Sequence, residues 1–402
     1  MKSSFRLVGF EYKKIFKKRS SIVILLIAVF LTAFSSLGPL MGNYYIKGEK
    51  FESNYEGMKR DREYIRSLSY REIGNDILSE AIGAYSLIPS TDGKYTDTDE
   101  YQRYARPYSE INYIIRKSYG MNDWKEMKLL TEEDIKSFYD VRQSAVERSI
   151  EGTTMSPAEK SASVSLSRQV KTPFIYSYTG GYTRFFSQMY TTAILICFIC
   201  SICIAPLFAG EYTDKTDSLI LSSKYGKNKV IHAKLITGIS FSVLLTIMLT
   251  IVSYVTVIMF FGWEGGGSPI QIFLPLSIHP FTMKQAALLY FTIVLMGNLL
   301  SAAVVMLLSA RLKSPFMVMV IMTVITVLPM FVNIPENTLR IYHLFNLIPV
   351  NMFYLSRLLD KFSVDLFGMI VQPYEITIIF SVVSSIILMP LAYSGFKNHV
   401  VQ

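Results

Sequence analysis

The sequence predicts an all-α polytopic membrane protein with six transmembrane helices, an N-terminal interfacial helix and a large helical extracellular insert between the first and second spans. Three observations predict this fold. The chain contains hydrophobic runs of about 20 residues, those runs lack charged residues, and basic residues are in excess on alternate connections. With 51% hydrophobic and 18% charged residues among 402, the chain is more apolar than a typical soluble domain.

Each hydrophobic run is long enough to cross a bilayer as a helix, and none contains Asp, Glu, Lys or Arg. A surface helix of a soluble protein would carry polar residues on one face. The runs are 22–41, 189–209, 238–261, 286–310, 315–332 and 376–393. We expect the corresponding spans at 20–41, 189–209, 235–261, 286–310, 315–332 and 374–396.

The formal net charge of +9 is distributed unevenly. Segments 1–19, 210–234, 311–314 and 397–402 together hold 15 basic and 4 acidic residues, whereas 42–188 holds 21 basic and 22 acidic residues. Basic residues concentrate on the cytoplasmic connections of membrane proteins. We therefore predict a multi-pass protein of the cell (plasma) membrane, with both termini cytoplasmic and residues 42–188 extracellular. This distribution favours an orientation signal over a nucleic-acid site, and no nucleic-acid partner is expected.

Residues 1–19 combine aromatic residues at near-helical spacing with interleaved lysines. This pattern predicts a cytoplasmic amphipathic helix that lies on the bilayer with its basic residues toward anionic lipid. The alternative interpretation is a plain basic flank. The first run also resembles a signal-peptide core followed by small residues at 35–38, but its length favours an uncleaved span.

The segment 42–188, called the insert below, is rich in Tyr, Glu, Arg and Lys and predicts a water-exposed domain. No strand-like alternation is sustained, so we predict an entirely helical insert with helices at 51–87, 98–119, 132–150 and 157–170. Ser156, Pro157 and Glu159 form a capping-box pattern with proline at the first helical position. The aromatic stretch 172–188 would return the chain to the membrane interface.

The remaining connections differ in kind. Segment 210–234 is a short, basic, helix-prone loop, 262–285 an external loop with a triple-glycine break, and 311–314 a tight cytoplasmic turn. Segment 333–373 is strongly apolar but interrupted by Pro349, Arg357, Asp360 and Asp365. It predicts external re-entrant or interfacial helices rather than a span.

No set of residues predicts a catalytic or metal site. Cys197, Cys200 and Cys203 have an iron–sulfur-like spacing, but they lie within one span and the chain has no fourth cysteine, so we expect them to be buried packing residues. The four histidines are far apart, and no nucleotide-binding motif occurs. The spans also lack the ionisable residues usual in proton-coupled carriers, so any transport would need energy from another polypeptide.

The residues that follow the second run carry a family resemblance. The pattern consists of Gly210-Glu211-Tyr212, Thr216, Leu219, Leu221-Ser222-Ser223, the basic stretch 224–229 and Ala233-Lys234. With six spans and a basic N-terminal helix, it resembles the type-2 permease subunits of bacterial ATP-binding-cassette (ABC) exporters. Their pattern here is roughly a Glu, a Gly-Thr, a Leu-Leu-Ser, an Arg and a Lys that opens the third span. This chain departs near Asp217, which replaces the Gly-Thr order, and at Lys227 or Lys229, where arginine is common. The insert is not explained by the family pattern.

The resemblance implies that residues 211–225 form a coupling helix in a groove of a separate cytoplasmic ABC ATPase. The interfacial helix would pack beside it through Phe5, Tyr12 and Phe16. ATP and Mg²⁺ would be held by the ATPase, so this chain would be no enzyme and carry no cofactor. It would work as a dimer with a second permease subunit, identical or different. The implied coupling residues are Glu211, Tyr212, Thr216, Leu219, Leu221, Ser222, Lys224, Lys227 and Lys234.

The resulting functional hypothesis is a permease subunit that exports a peptide, lipid or antimicrobial. One alternative is a non-transporting sensor or scaffold, whose extracellular domain binds a ligand and signals through a cytoplasmic ATPase. Another is an intramembrane enzyme, which the absence of a catalytic dyad or metal-ligand cluster in the sequence disfavours.

Overall fold

The computed structural model describes residues 2–46, 48–90 and 94–399, and this part of the chain is mostly helical. Its first half contains α1 (Lys2–Lys17), α2 (Arg19–Leu37), β1 (Asn43–Ile46), β2 (Glu49–Ser53), α3 (Asn54–Leu68), α4 (Asn75–Ser86), α5 (Ser109–Tyr119), α6 (Glu132–Lys136), α7 (Phe138–Glu151) and α8 (Pro157–Ser167). Its second half contains α9 (Gly180–Ile204), α10 (Pro206–Thr213), α11 (Asp217–Ser222), α12 (Ile231–Phe261), α13 (Met283–Arg311), α14 (Pro315–Val327), α15 (Leu339–Asn346), α16 (Pro349–Met352), α17 (Leu355–Leu358), β3 (Val364–Leu366), β4 (Met369–Val371) and α18 (Pro373–Lys397).

Several helical segments are long and apolar enough to cross a membrane, so the chain is a multi-pass membrane protein. Within the described residues they are five: Arg19–Leu40, Gly180–Thr213, Gly226–Phe261, Met283–Arg311 and Pro373–Lys397. A further apolar helix, Pro315–Phe331, is shorter. All six hydrophobic runs therefore fall on apolar helices, while the count of six spans stays a prediction. The helix at the second run starts at Gly180, earlier than the predicted residue 189.

The centre of the helical bundle is α13, which packs against α9, α12 and α18. Small side chains on α13 allow neighbouring segments to approach closely. At Gly297, an added Cβ would lie 2.6 Å from the Phe353 ring, so a larger residue there would collide with that ring. The outer helices expose apolar side chains, such as Leu26 and Phe30 of α2 and Ile386 of α18, as expected for surfaces that face lipid.

The prediction of an entirely helical insert was wrong at its beginning. The antiparallel strands β1 and β2 form a hairpin there, with Tyr44 opposite Glu52 and a bulge after Tyr44. The Tyr44 and Phe51 rings lie edge to face at 6.3 Å across the pair. Strands of four and five residues are too short to produce a sustained alternation of polar and apolar residues, so the sequence pattern did not reveal them.

The other regular elements described in the insert are helices, and they are shorter than predicted. The predicted helix 51–87 is divided between α3 and α4, and 132–150 is divided between α6 and α7 at Ser137. The segment 98–119 starts with π and 3-10 turns before α5 begins. The capping box at the start of α8 is confirmed, because the Ser156 hydroxyl accepts from the Glu159 N–H and the Glu159 carboxylate accepts from the Ser156 N–H.

A second hairpin interrupts the segment 333–373, for which only helices were predicted. Three short helices, α15 to α17, are followed by β3 and β4. The residues at the turn, Phe367 and Gly368, both have positive φ, of 56° and 87°. Two left-handed residues make the tight turn whose twist matches that of the strands it joins.

The insert is attached by charged side chains to the connection that follows α12. Arg62 of α3 places Nη2 2.7 Å from Glu264 Oε1, and Arg66 also pairs with this carboxylate. We call Arg62, Arg66 and Glu264 the Glu264 clasp. Further along, Arg142 of α7 donates to the carbonyl oxygens of Pro275 and Ser277 at 2.8 and 3.1 Å. The insert therefore contacts the end of α12 and the loop beyond it.

Candidate functional site

Four charged side chains meet where α1, α10 and α12 come together. They are Glu11 and Lys14 of α1, Glu211 of α10 and Lys234 in the first turns of α12, and we call them the Lys234 cluster. Its two lysines balance its two glutamates. The cluster joins the N-terminal helix to the end of the second hydrophobic run and to the start of the third.

The centre of the cluster is Lys234, whose side chain is completely buried. Its ammonium donates to Glu11 Oε2 at 3.0 Å, to Glu211 Oε1 at 2.7 Å and to the Leu207 carbonyl oxygen at 2.7 Å. An ammonium group has three N–H donors, and all three have partners here. A buried charge that is paired and fully hydrogen-bonded avoids most of its desolvation cost, so this geometry fixes the three segments together.

Lys14 and Thr216 complete the surroundings of Glu211. Lys14 Nζ lies 2.6 Å from Glu211 Oε1 and 3.3 Å from Glu11 Oε1. Burial alone would lower the pKa of Lys14, but its hydrogen bonds and charge interactions with both glutamates outweigh burial and raise that pKa. The Thr216 hydroxyl donates to Glu211 Oε2. Glu211 is therefore bound on both carboxylate oxygens, one of them by the loop that follows α10.

Glu211 is positioned by a helix break one and a half turns earlier. Pro206 begins α10 directly after Ala205, and a proline inside a helical path removes a backbone hydrogen bond. Ser309 of α13 compensates by accepting from the N–H groups of Phe208 and Ala209 at 3.2 and 3.0 Å and by donating to the Ala205 carbonyl at 2.6 Å. These bonds anchor the start of α10 to the central helix of the bundle.

The segment 211–225, predicted as one coupling helix, contains the end of α10, a turn at Asp214 to Thr216, and α11. On α11, Leu221 is buried, whereas Leu219 is 72% exposed. The predicted residues Ser222, Lys224 and Lys227 are also exposed. The loop therefore presents an apolar side chain and basic side chains on its outer surface, with Glu211 and Thr216 beneath them.

The same loop and the end of α10 contact α13 and the C-terminal region. The Tyr212 hydroxyl donates to the Ala310 carbonyl oxygen at 2.8 Å, and its ring lies 4.5 Å from that of His399. His399 Nε2 lies 3.4 Å from Asp217 Oδ2, at the start of α11. The Tyr393 hydroxyl of α18 donates to the carbonyl oxygen of Lys227 at 2.9 Å. Movement of the loop would therefore displace α18 as well as α1 and α12.

The helix α1 packs against α12 with only part of its predicted aromatic face. Its buried residues are Glu11 and Ile15, while Phe5 is 75% exposed. Tyr12 shares a 2.8 Å hydrogen bond with Ser240 of α12, and the Phe16 ring lies 6.4 Å from that of Phe241. The N-terminal helix thus packs mainly on α12, and two of the three predicted aromatic residues contact it.

The structure brings together only some of the predicted coupling residues. Glu211, Thr216 and Lys234 share one site, and the remaining predicted residues lie around it or on the exposed loop. The sequence reasoning missed Glu11 and Lys14. One signal was present, because Glu11 is the single acidic residue among the first 19, in an otherwise basic helix.

The three cysteines lie in the interior of the bundle, on α9. The Cys197 thiol lies 3.2 Å from Asn298 Oδ1 and 3.4 Å from the Ser301 hydroxyl, both on α13. These contacts help to pack α9 against α13. Among the described residues, no group of His, Cys, Asp and Glu has an arrangement that would hold a metal ion.

Comparison with known proteins identifies one family. The family model described as "ABC-2 family transporter protein" matches residues 7–399, which is almost the whole chain. No curated protein and no solved structure matches the chain. The match includes the Lys234 cluster, the exposed loop and the insert.

Proposed function

This chain belongs to the ABC-2 transporter family and is therefore a membrane permease of an ABC transporter, and we propose that it exports a peptide, lipid or antimicrobial. The family implies association with an ABC ATPase. Under this proposal the ATPase subunits hold ATP and Mg²⁺ on the cytoplasmic side, and this chain hydrolyses nothing. A second permease subunit, identical or different, completes the transport path, and the insert lies outside the cell.

The observation that supports this proposal is the Lys234 cluster beneath an exposed loop. An ATPase that holds α11 through Leu219 and the adjacent lysines would move Thr216 and Glu211 directly. Because Lys234 is buried and uses all its donors, water cannot replace Glu211 as its partner when Glu211 shifts. Such a shift must therefore move α12 or α1. The cluster is thus suited to convert a push on the loop into a movement of the bundle.

Site-specific photo-cross-linking tests whether the loop contacts the ATPase. A photoreactive amino acid replaces Leu219 in the full-length tagged chain, expressed in its own membranes together with its native partners. The matched control is Leu129, which is 79% exposed on the insert. We expect an adduct with an ATP-binding protein from position 219 and none from position 129. Absence of the adduct at 219, or equal adducts at both positions, would contradict the proposal.

A sensor function is the second candidate, and a cavity in the insert favours it. The cavity has a volume of about 500 Å³ and is lined by both charged and aromatic residues, among them Tyr44, Glu52, Asp61 and Arg106. A sensor would change the ATPase rate when a ligand binds the insert, without moving that ligand. Transport into sealed vesicles that contain the purified complex distinguishes the two functions, because only a transporter accumulates substrate in an ATP-dependent way.

A further inference from the structure

A cavity with charged and apolar residues in its walls lies at the far side of the bundle from the Lys234 cluster. Its volume is about 780 Å³, and its walls come from α8, α15, the β3–β4 turn and the first turn of α18. Two arginines, Arg340 and Arg357, line it together with the imidazole of His343. This cavity is distinct from the one in the insert, and neither the cluster nor the loop at α11 contributes to it.

The arginines of this cavity are free to bind an anion. Arg340 is exposed and forms no ion pair with any residue that the structure describes. Arg357 stacks on the Tyr354 ring at 4.5 Å and donates one bond, of 3.1 Å, to Asn346 Oδ1. A guanidinium group has five N–H donors, so most donors of both arginines remain available.

The two carboxylates at the same cavity are already engaged by backbone groups. Glu159 accepts from the N–H groups of Ser156 and Asp365 at 2.7 and 2.8 Å, and Asp365 Oδ1 accepts from Gly368 N–H at 2.7 Å. Within the described residues, neither carboxylate pairs with Arg340 or Arg357. The buried Nε2 atom of His343 has no hydrogen-bond partner there either. The two guanidinium groups are thus not occupied by the carboxylates of the same cavity.

An apolar groove lies next to this cavity. It has a volume of about 550 Å³ and runs between α13, α14 and α18, with walls that include Val304, Met322 and Leu388. Leu347 lines both spaces. On α18 the cavity ends at Thr377 and the groove begins at Phe380, less than one helical turn away. The two spaces are therefore neighbours, and only the cavity has charged groups in its wall.

Exposed apolar side chains surround the cavity that contains the two arginines. Ile341 and Leu344 of α15 are 58% and 67% exposed, and Phe367 at the hairpin turn is fully exposed. Apolar side chains beside arginines are characteristic of protein surfaces that rest at the boundary between lipid tails and head groups. The mouth of the cavity thus combines the apolar and cationic side chains that suit a lipid head-group region.

We propose that the cavity and the neighbouring groove together bind one phospholipid, with its phosphate at Arg340 and Arg357 and an acyl chain between α13, α14 and α18. Guanidinium groups bind phosphate oxygens in a bidentate manner, and the groove supplies the apolar surface that a chain requires. The proposal holds for either direction of transport, and it does not require an ATPase partner.

Native mass spectrometry of the full-length chain in detergent tests the head-group site. The probes are dioleoylphosphatidylglycerol and dioleoylglycerol, which have the same chains but differ in the phosphate. We expect tighter binding of the phospholipid, and we expect Arg340→Gln to weaken that binding about fivefold without changing dioleoylglycerol binding. Arg103→Gln removes an exposed arginine of the insert and should change the binding of neither probe. Equal binding of both probes to the native chain, or equal effects of the two variants, would overturn the proposal.

The apolar groove is tested by filling it. Ser384 lines the groove, so Ser384→Phe should weaken the binding of both probes, whereas Thr323→Phe on the exposed surface of α14 should leave it unchanged. Ser384→Leu, a smaller change, keeps the test valid if the phenylalanine variant fails to fold. The same spectra report the oligomeric state. If the Ser384 variants disrupt a dimer and retain lipid binding, the groove is a subunit interface and the proposal fails.

Discussion

The two ends of α12 are held by ionic clusters of opposite composition. At its start, the ammonium of Lys234 lies between two carboxylates. Just beyond its end, the carboxylate of Glu264 lies between the two guanidinium groups of Arg62 and Arg66. The first cluster connects α12 to α1 and α10, and the second connects it to the insert. A single helix of 31 residues therefore joins the exposed loop at α11 to the insert.

The clusters differ most in their access to water. The Lys234 side chain is 0% exposed, whereas 51% of the Arg66 side chain is exposed. Removing one partner of a buried pair leaves an uncompensated charge and costs about 3–5 kcal/mol, while exposed pairs contribute about 0–1 kcal/mol. The two ion pairs of Lys234 should therefore hold the start of α12 more strongly than the two ion pairs of Glu264 hold its end. The following substitutions test this difference.

The largest effect is expected from Lys234→Met. Methionine fills a similar volume but leaves Glu11 and Glu211 buried near one another without the central ammonium. We expect the free energy of unfolding, measured by SDS titration in mixed micelles, to fall by about 4 kcal/mol. The matched control is Lys227→Met on the exposed loop. This variant should lower the free energy of unfolding by less than about 0.5 kcal/mol. Similar losses for both variants would show that burial does not govern the cluster.

A smaller loss is expected from Glu211→Gln, because Lys234 keeps Glu11 and the Leu207 carbonyl oxygen as partners. We expect the free energy of unfolding to fall by about 2 kcal/mol, the contribution of hydrogen bonds to a charged group. Combining Glu211→Gln with Lys234→Met restores the balance of charge. The double variant should therefore be more stable than the sum of the two single losses predicts. Strictly additive losses would show that the two side chains act independently.

The sequence was sufficient to predict the helical bundle but not the Lys234 cluster. Charge-free runs depend only on local composition, and so do capping boxes such as that of Ser156 and Glu159. The pair between Glu11 and Lys234 joins residues 223 positions apart, and no local pattern reveals which distant charges meet. Glu211 and Lys234 were found through the family resemblance, which describes α10 and α12 but not their contact with Glu11.

In the insert, too, features that depend on neighbouring residues were predicted, whereas features that depend on distant contacts were not. Its turns and helix starts follow from proline, glycine and capping residues, whereas the β1–β2 hairpin depends on contacts between Tyr44 and Phe51 that a short alternation does not reveal. The clasp was also missed, because Glu264 lies 202 residues from Arg62. Both ionic clusters at the ends of α12 therefore join residues that are distant in the sequence and meet only in the folded chain.

The smallest effect is expected at the clasp. Glu264→Gln keeps the size of the side chain but removes its charge, and we expect a loss of about 1 kcal/mol at pH 7, because the arginines are partly exposed and water screens the pairs. Glu63→Gln, an exposed change on the same helix as Arg62 and Arg66, is the matched control and should have no measurable effect.

The effect of Glu264→Gln should also depend on pH in a defined direction. Burial alone would raise the pKa of Glu264, but hydrogen bonds from Arg66 and Arg62 outweigh burial and lower that pKa from 4.5 to about 2. A carboxylate whose pKa is lower in the folded state stabilises the fold above about pH 4.5, and this contribution disappears as the pH falls toward 2. Thermal unfolding midpoints of the native chain and the variant should therefore converge between pH 7 and pH 3. If the gap between them stays constant or widens in acid, the clasp does not hold Glu264 as a carboxylate, and the end of α12 is fixed by packing alone.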